Sequence, residues 1–398
     1  MSADERSRLE RWRADTPGVA GRVHLNNAGS ALPPRVVAVA MTDHLAREAQ
    51  IGGYEAADLA ASAVQESYAA LAELIGAQSQ NVAIVTSATH AFALALSSID
   101  FARGDLILTS QDDYISNQLM YLSLAARLGV RVERVPDAPE GGVDLGALER
   151  AIRRERPRVV ALTWIPTSGG LIQPAESVGA LCAAAGVPFI LDACQAVGQL
   201  EIDLGLVQCD YLAATARKFL RGPRGIGFLA VSDAALARGD APLLPDMRGA
   251  RWTAADAYAL VDDARRFEQW EFSYALVLGL GAAARYALEV GVGTAATRAH
   301  ALAAQARERF AAIPGVRALD RGARLSAIAT FAVEGREARA LMLALREHGV
   351  NTSAQTRTDA LIPLERVGAT SLLRVSPHYY NTVEEIERGA EALTALLH

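Results

Sequence analysis

From about residue 70 to residue 231, short runs of β-branched and apolar residues alternate with longer alanine-rich stretches of helical character. Residues 81–86, 105–109, 130–135, 159–164, 187–192, 211–213 and 227–231 read as strands. Strands separated by helices need crossover connections, which favour a mostly parallel sheet with helices on both faces. The pattern therefore predicts an α/β fold, with a mostly parallel seven-stranded sheet in a large domain spanning 20–272. A long alanine-rich helix begins near residue 273. A second block follows it, with strands near 327–333 and 372–376 and helices near 336–348 and 383–397. That block reads as a smaller α+β domain made of 273–398 and the N-terminal segment 1–19. No internal repeat or low-complexity linker separates the two, so they are expected to pack closely. Ligands of such sheets sit beyond the carboxyl ends of the strands, so polar clusters that follow predicted strands are the candidate site.

With 398 residues, 51% of them apolar, the chain can bury a large core. The net charge is −6, and acidic and arginine-rich segments are interspersed, so no basic stripe of the kind that tracks nucleic acid is apparent. The N-terminus is charged, and the most apolar later stretch, 275–288, is broken by Arg285; neither a signal peptide nor a membrane span is expected. The expectation is a soluble cytoplasmic protein with no nucleic-acid or membrane partner. Cys182, Cys194 and Cys209 form no CxxC pair, and the histidines show no ligand spacing, so neither a disulfide nor a metal site is expected.

One lysine, Lys218, stands among 39 basic residues. Arginine stays protonated at any working pH, whereas a partly desolvated lysine can lose its proton and attack a carbonyl. Composition alone fits equally well with an arginine-rich surface that kept one lysine, so the neighbours decide. Phe189-Ile-Leu-Asp-Ala-Cys-Gln195 reads as a buried strand ending in Asp192 and Gln195, and a carboxylate there needs a cationic partner. After Lys218 comes Phe219-Leu-Arg-Gly-Pro-Arg-Gly-Ile-Gly-Phe228, whose glycines permit sharp turns and close backbone approach at the lip of a pocket.

Asp192, Gln195 and Lys218 followed by this glycine-rich run resemble the pyridoxal 5′-phosphate (PLP) core of class V aminotransferase-fold enzymes. These share the PLP-dependent fold type I and include cysteine desulfurases, kynureninases, isopenicillin N epimerase-like proteins and C–S lyases of the hercynylcysteine sulfoxide lyase kind. The likeness runs from about Leu25 to the C-terminus and is nearest to the C–S lyase and epimerase-like branch. It implies that Lys218 binds the cofactor covalently, that Asp192 pairs with the pyridine nitrogen, and that Gln195 bonds the ring hydroxyl oxygen. Ser87, Ala88, Thr89 and His90 open a helix after a strand, where backbone N–H groups and hydroxyls form an anion site. A plain Ser/Thr cap is the alternative; the resemblance makes it the phosphate cup. The resemblance also places Thr215 and Arg217, just before the lysine, near the phosphate. Tyr114 is the candidate for stacking on the ring, supported by Asn117. Thr167 or Ser168 stands where desulfurases usually carry an asparagine near the ring hydroxyl.

On the substrate side, Arg374 in Arg374-Val-Ser-Pro-His-Tyr-Tyr-Asn381 can grip a carboxylate through two parallel bonds. The resemblance gives it the α-carboxylate of an amino acid, with Asn27, Ala28 and Gly29 alongside. Tyr54, after Gly52-Gly53, is a candidate for the substrate mouth, with an interhelical turn as the alternative. Ser273 lies where the family crosses a homodimer interface towards the partner's phosphate. Desulfurases of this family carry a nucleophilic cysteine between the small-domain helix and the carboxylate arginine; residues 349–361 here contain none. The expected activity is therefore a PLP-dependent lyase of secondary metabolism, a C–S β-lyase on an S-substituted L-cysteine or its sulfoxide. The alternative is an epimerase or decarboxylating deaminase on an amino-acid-derived metabolite, which needs a second acid/base such as Tyr54, Tyr114 or His378.

Overall fold

The computed structural model describes residues 2–398. Strand β1 (Val23–His24) precedes the large sheet. That sheet is built from β2 (Val82–Val85), β3 (Leu106–Ser110), β4 (Arg131–Val135), β5 (Val159–Thr163), β6 (Phe189–Asp192), β7 (Tyr211–Thr215) and β8 (Gly227–Val231). Its spatial order is β2-β8-β7-β6-β5-β3-β4, with β3 to β7 paired in parallel and β8 antiparallel to both neighbours. All seven expected strands are present, with ends moved by one or two residues.

Both faces of this sheet are covered. Leu106, Leu108, Val160, Leu162 and Leu191 pack into one cluster, while Ile107, Val159, Ala161 and Ile190 pack into another. Burial on two sides removes any polar face, so the interior strands read in sequence as near-continuous apolar runs, while the edge strand β4 keeps Arg131, Glu133 and Arg134. The helix Tyr274–Val290 packs on Arg35–Ile51 and Ala61–Leu74 and places Val277, Leu280 and Ala283 in the first cluster. It meets the next helix, Val292–Ala311, at 82°; no single helix among the described residues is long and apolar enough to cross a membrane.

The C-terminal block holds a four-stranded antiparallel sheet. β9 (Ala250–Ala254) and β10 (Ala257–Leu260) form a hairpin before it, and its own strands are β11 (Val316–Ala318), β12 (Ala329–Val333), β14 (Ser353–Thr356) and β15 (Ser371–Val375), in the order β11-β12-β15-β14. β13 (Val350–Asn351) pairs in parallel with β1, tying the N-terminal loop to this block. Two close approaches shape the site. A side chain at Gly198, whose φ is +91°, would meet the backbone of Phe219 and Leu220 just beyond Lys218, and one at Gly227 would meet Ala214 and the start of the helix Ala88–Ser97.

Candidate active site

The carboxyl ends of β2, β5, β6 and β7 converge on a cavity of about 220 Å³ lined by Ser87, Ala88, Thr89, Tyr114, Thr167, Asp192, Cys194, Gln195, Thr215, Arg217 and Lys218. Two larger hollows, of about 380 and 470 Å³, flank the helix Val292–Ala311, and neither contains the lysine.

Lys218 follows the end of β7 by three residues and is buried. Its Nζ lies 5.9 Å from the centroid of the Tyr114 ring. Burial lowers its pKa below the usual 10.5; Asp192 and Cys194 oppose that shift, while Arg217 and Arg374 add to it. The ammonium form is thereby disfavoured relative to a lysine in water. Asp192, the last residue of β6, accepts from the Cys194 N–H at 3.0 Å and from Asn117 Nδ2 at 3.1 Å. Gln195 donates through Nε2 to Ala28 O (3.0 Å) and Thr167 Oγ1 (3.2 Å), leaving its buried Oε1 with no partner. Cys194 forms part of the cavity wall rather than packing away from it; burial holds its thiol far above the usual range.

At the helix Ala88–Ser97, Ser87 is the N-cap and accepts from the His90 N–H at 3.1 Å. His90, expected in the phosphate cup, does not line the cavity, and its N–H is taken by Ser87. Its imidazole bonds Thr86 Oγ1 at 3.2 Å and, together with Ser273, lines a small neighbouring hollow that shares Thr86, Gly225 and Ile226 with the main cavity. Ser273 caps no N–H with its side chain. Arg217 donates to Gly29 O, and Arg224, which the sequence reading passed over, also reaches the cavity.

Arg374 lies on β15, fully buried. Its Nη1 donates to Thr167 O at 3.1 Å and to Thr167 Oγ1, its Nη2 to Asn26 Oδ1 at 3.4 Å, and its Nε has no partner. None of these acceptors is a carboxylate. Burial and the Arg217 charge pull its pKa down to about 10. Thr167 is thus the residue of its pair that joins the site, while Ser168 lines a separate hollow. Asn26, not singled out in sequence, is the asparagine that touches Arg374. Asn27 faces the other way: it donates to Ser376 O at 2.8 Å and accepts from the Tyr380 hydroxyl. Ala28 and Gly29 enter through their carbonyls, bonded by Gln195 and Arg217. Tyr54 is 77% exposed on the helix Gly53–Leu59 and lies outside the cavity. His378 is buried with both nitrogens engaged, Nε2 with Phe219 O and Nδ1 with the Tyr379 N–H, each at 2.9 Å, so it has no free nitrogen for proton transfer.

Residues 23–388 match the family described as Aminotransferase class-V. Over 393 residues the chain is 30% identical to a probable hercynylcysteine sulfoxide lyase of Mycobacterium tuberculosis, covering 98% of this chain and 93% of the relative. It is 28% identical over 398 residues to a probable cysteine desulfurase of Methanothermobacter thermautotrophicus, covering 97% of each. Among solved structures, a mutant of C-DES with glycine covalently linked to PLP matches with a TM-score of 0.83 at 22% identity, covering 96% of this chain and 98% of that one.

The residues present fit PLP. The unpartnered Gln195 Oε1 can accept from a ring hydroxyl, and Asp192 supplies the carboxylate that a protonated ring nitrogen requires. The absence of a Cβ at Gly227 keeps the backbone at the start of the helix Ala88–Ser97 close to β7, where its N–H groups can meet a phosphate. Lys218 is the amine within this enclosure.

Proposed function

Because the chain belongs to the class-V aminotransferase family and depends on PLP, we propose that it is a C–S β-lyase acting on an S-substituted L-cysteine or its sulfoxide. The products are a thiol or sulfenate, pyruvate and ammonia. The observation that carries this reading is a buried lysine in a cavity whose only thiol, Cys194, burial holds far above the usual range, with a buried, carboxylate-free arginine, Arg374, bonded to the cavity-wall residue Thr167. Such a site can hold an amino acid and move its α-proton but offers no thiolate to take up sulfur. The name of the M. tuberculosis relative points the same way.

Each residue has a part. Arg374 Nε and Nη2 face the α-carboxylate, with Asn26 beside them. Asp192 holds the ring nitrogen, Gln195 the ring hydroxyl, and the Ser87–Thr89 backbone with Arg217 the phosphate. When bound, PLP supplies the electron sink that makes the α-proton acidic. Lys218 Nζ, whose ammonium form burial disfavours, accepts that proton. The C–S bond then breaks with the electron pair leaving on sulfur, and hydrolysis of the remaining enamine gives pyruvate and ammonia.

A homodimer working in the cytoplasm is part of the proposal. Leu243, Leu244, Met247 and Trp252, next to and on the β9–β10 hairpin, support the dimer because each is a large apolar side chain left mostly exposed in the single chain. Sedimentation at micromolar concentration tests it; a monomer refutes it. For the reaction, purified enzyme is incubated with S-alkyl cysteines and cysteine sulfoxides. Pyruvate and thiol or sulfenate are expected in equal amounts, and Lys218→Ala should abolish both the visible band of bound cofactor and turnover. Formation of alanine with sulfur transfer to a thiol acceptor, or of a D-amino acid, would refute the lyase.

A further inference from the structure

Asp113 received no role from the sequence, yet it is the most heavily bonded carboxylate near the site. It accepts from the Tyr114 N–H at 2.7 Å, Thr163 Oγ1 at 2.6 Å, Gln118 Nε2 at 2.7 Å, Asn117 Nδ2 at 3.1 Å and Thr109 Oγ1 at 3.1 Å. Three of these partner atoms, the backbone N–H and the two amide nitrogens, can only donate. An ionised carboxylate accepts all five, whereas a protonated one could donate only to one of the two threonine hydroxyls. Burial pushes its pKa up and the hydrogen bonds oppose that shift.

Two of the five bonds lead directly to the cofactor site. Asn117 Nδ2 donates at 3.1 Å to Asp113 Oδ1 and at 3.1 Å to Asp192 Oδ2. An amide nitrogen has two hydrogens, so one carboxylate can take each. The opposite amide orientation would set a carbonyl oxygen against two carboxylates, which fixes the assignment. The Tyr114 N–H bond holds the residue whose ring lies over Lys218. The anchors are equally specific. Thr109 ends near the carboxyl side of β3, and Thr163 is the last residue of β5, paired in register with Asp192 on β6.

We propose that Asp113 is a positioning residue for the cofactor: through Asn117 it orients Asp192 towards the ring nitrogen, and through the Tyr114 N–H it sets the ring that covers the opposite face. One buried carboxylate thus aligns two contacts, one from the end of β6 and one from the N-cap of the helix Ile115–Leu128. Without it, Asn117 is free to rotate and Asp192 keeps only the Cys194 N–H. The proposal rests on PLP dependence and is independent of whether the reaction is β-elimination.

The test compares full-length wild type, Asp113→Asn, Asn117→Leu and the double variant. Apo protein is titrated with PLP by fluorescence, the visible band of bound cofactor is recorded, and the melting temperature of each apo protein is measured. Removing a carboxylate that stands behind a direct ligand weakens sites of comparable design by roughly 10- to 100-fold, and the same range is expected here for the PLP dissociation constant of each single variant. Each should also shift the visible band. Because both substitutions cut one relay, the double variant should bind no more weakly than the weaker single. A dissociation constant within about threefold of wild type in either single variant, with an unmoved band, overturns the proposal. Losses that multiply in the double variant, with apo melting temperatures falling in step, overturn it too, since they describe a merely structural carboxylate. Wild type that takes up no PLP refutes the premise itself, and shows before any variant is compared.

Discussion

Arg374 gives the sharpest test of the site, because its structural and functional roles pull in opposite directions. The guanidinium is 4% exposed and has only a carbonyl, a hydroxyl and a side-chain amide oxygen for partners. Its pKa falls from 12.5 to about 10, chiefly through burial. At 1.36 kcal/mol per unit, the charged form is disfavoured by about 3 kcal/mol in the substrate-free protein. A substrate carboxylate supplies the missing counter-charge. Removing one partner of a buried charged pair costs about 3–5 kcal/mol, which is roughly two to four decades in kcat/KM. Arg374→Gln should therefore lower kcat/KM for an S-alkyl cysteine by roughly 10²- to 10⁴-fold. The same variant should leave apo stability unchanged or raised, because it discharges a buried cation that nothing there neutralises. Arg374→Lys keeps the charge but loses the planar fork, so its kcat/KM should fall between the two. Steady-state kinetics and urea unfolding of the apo protein read the two effects separately. A loss in kcat/KM below tenfold, or an apo protein destabilised by more than about 2 kcal/mol, would show that Arg374 serves the fold and not the substrate.

Much of this site was legible because the chain writes it in local runs. Burial on two faces makes the interior strands of the large sheet near-continuous apolar stretches, and Asp192, Gln195 and Lys218 stand at or just beyond the ends of two of them. The hairpin β9–β10 was not legible: with Trp252 and Tyr258 exposed, its pattern has no buried face to report. Asn26 and Asn27 are adjacent and chemically identical, and sequence cannot say which one meets Arg374. The choice is made when Ser376 and Tyr380, some 350 positions away, capture Asn27. Asp113 was passed over for the same kind of reason, since its anchors Thr109 and Thr163 meet only when β3 and β5 pair. Tyr54 failed in the other direction: a glycine break resembled a pocket rim and is a turn between two surface helices.

Two further predictions follow from buried groups beside Lys218. Arg221 is 2% exposed, at φ +63°, with its guanidinium 4.5, 5.1 and 5.7 Å from the ring centroids of Tyr380, Tyr379 and Tyr286. It donates to Leu32 O, the Tyr379 hydroxyl and Thr16 Oγ1, joining the lysine loop to three distant segments. Arg221→Met should destabilise the protein by about 2–4 kcal/mol in urea unfolding, and a loss below about 1 kcal/mol would count against the aromatic cage as a staple. His378 predicts an acid sensitivity with a definite sign. Its Nε2 donates to Phe219 O and its Nδ1 accepts from Tyr379, so a single neutral tautomer fits, and burial with the Arg221 charge holds its pKa well below 6.5. His24, also lowered by burial, and Arg221 are the charged or titratable groups that bear on it. The unfolded chain binds a proton near pH 6.5 that the folded chain refuses, so the stability due to neutral His378 is complete above 6.5 and is lost as pH falls below it. One such proton changes stability by up to about 1.4 kcal/mol per pH unit. Urea midpoints measured from pH 7 to pH 5 should therefore fall more steeply for wild type than for His378→Gln, whatever the variant's stability at pH 7. Parallel lines would mean that His378 takes up its proton in the folded protein, and the fixed tautomer would be wrong.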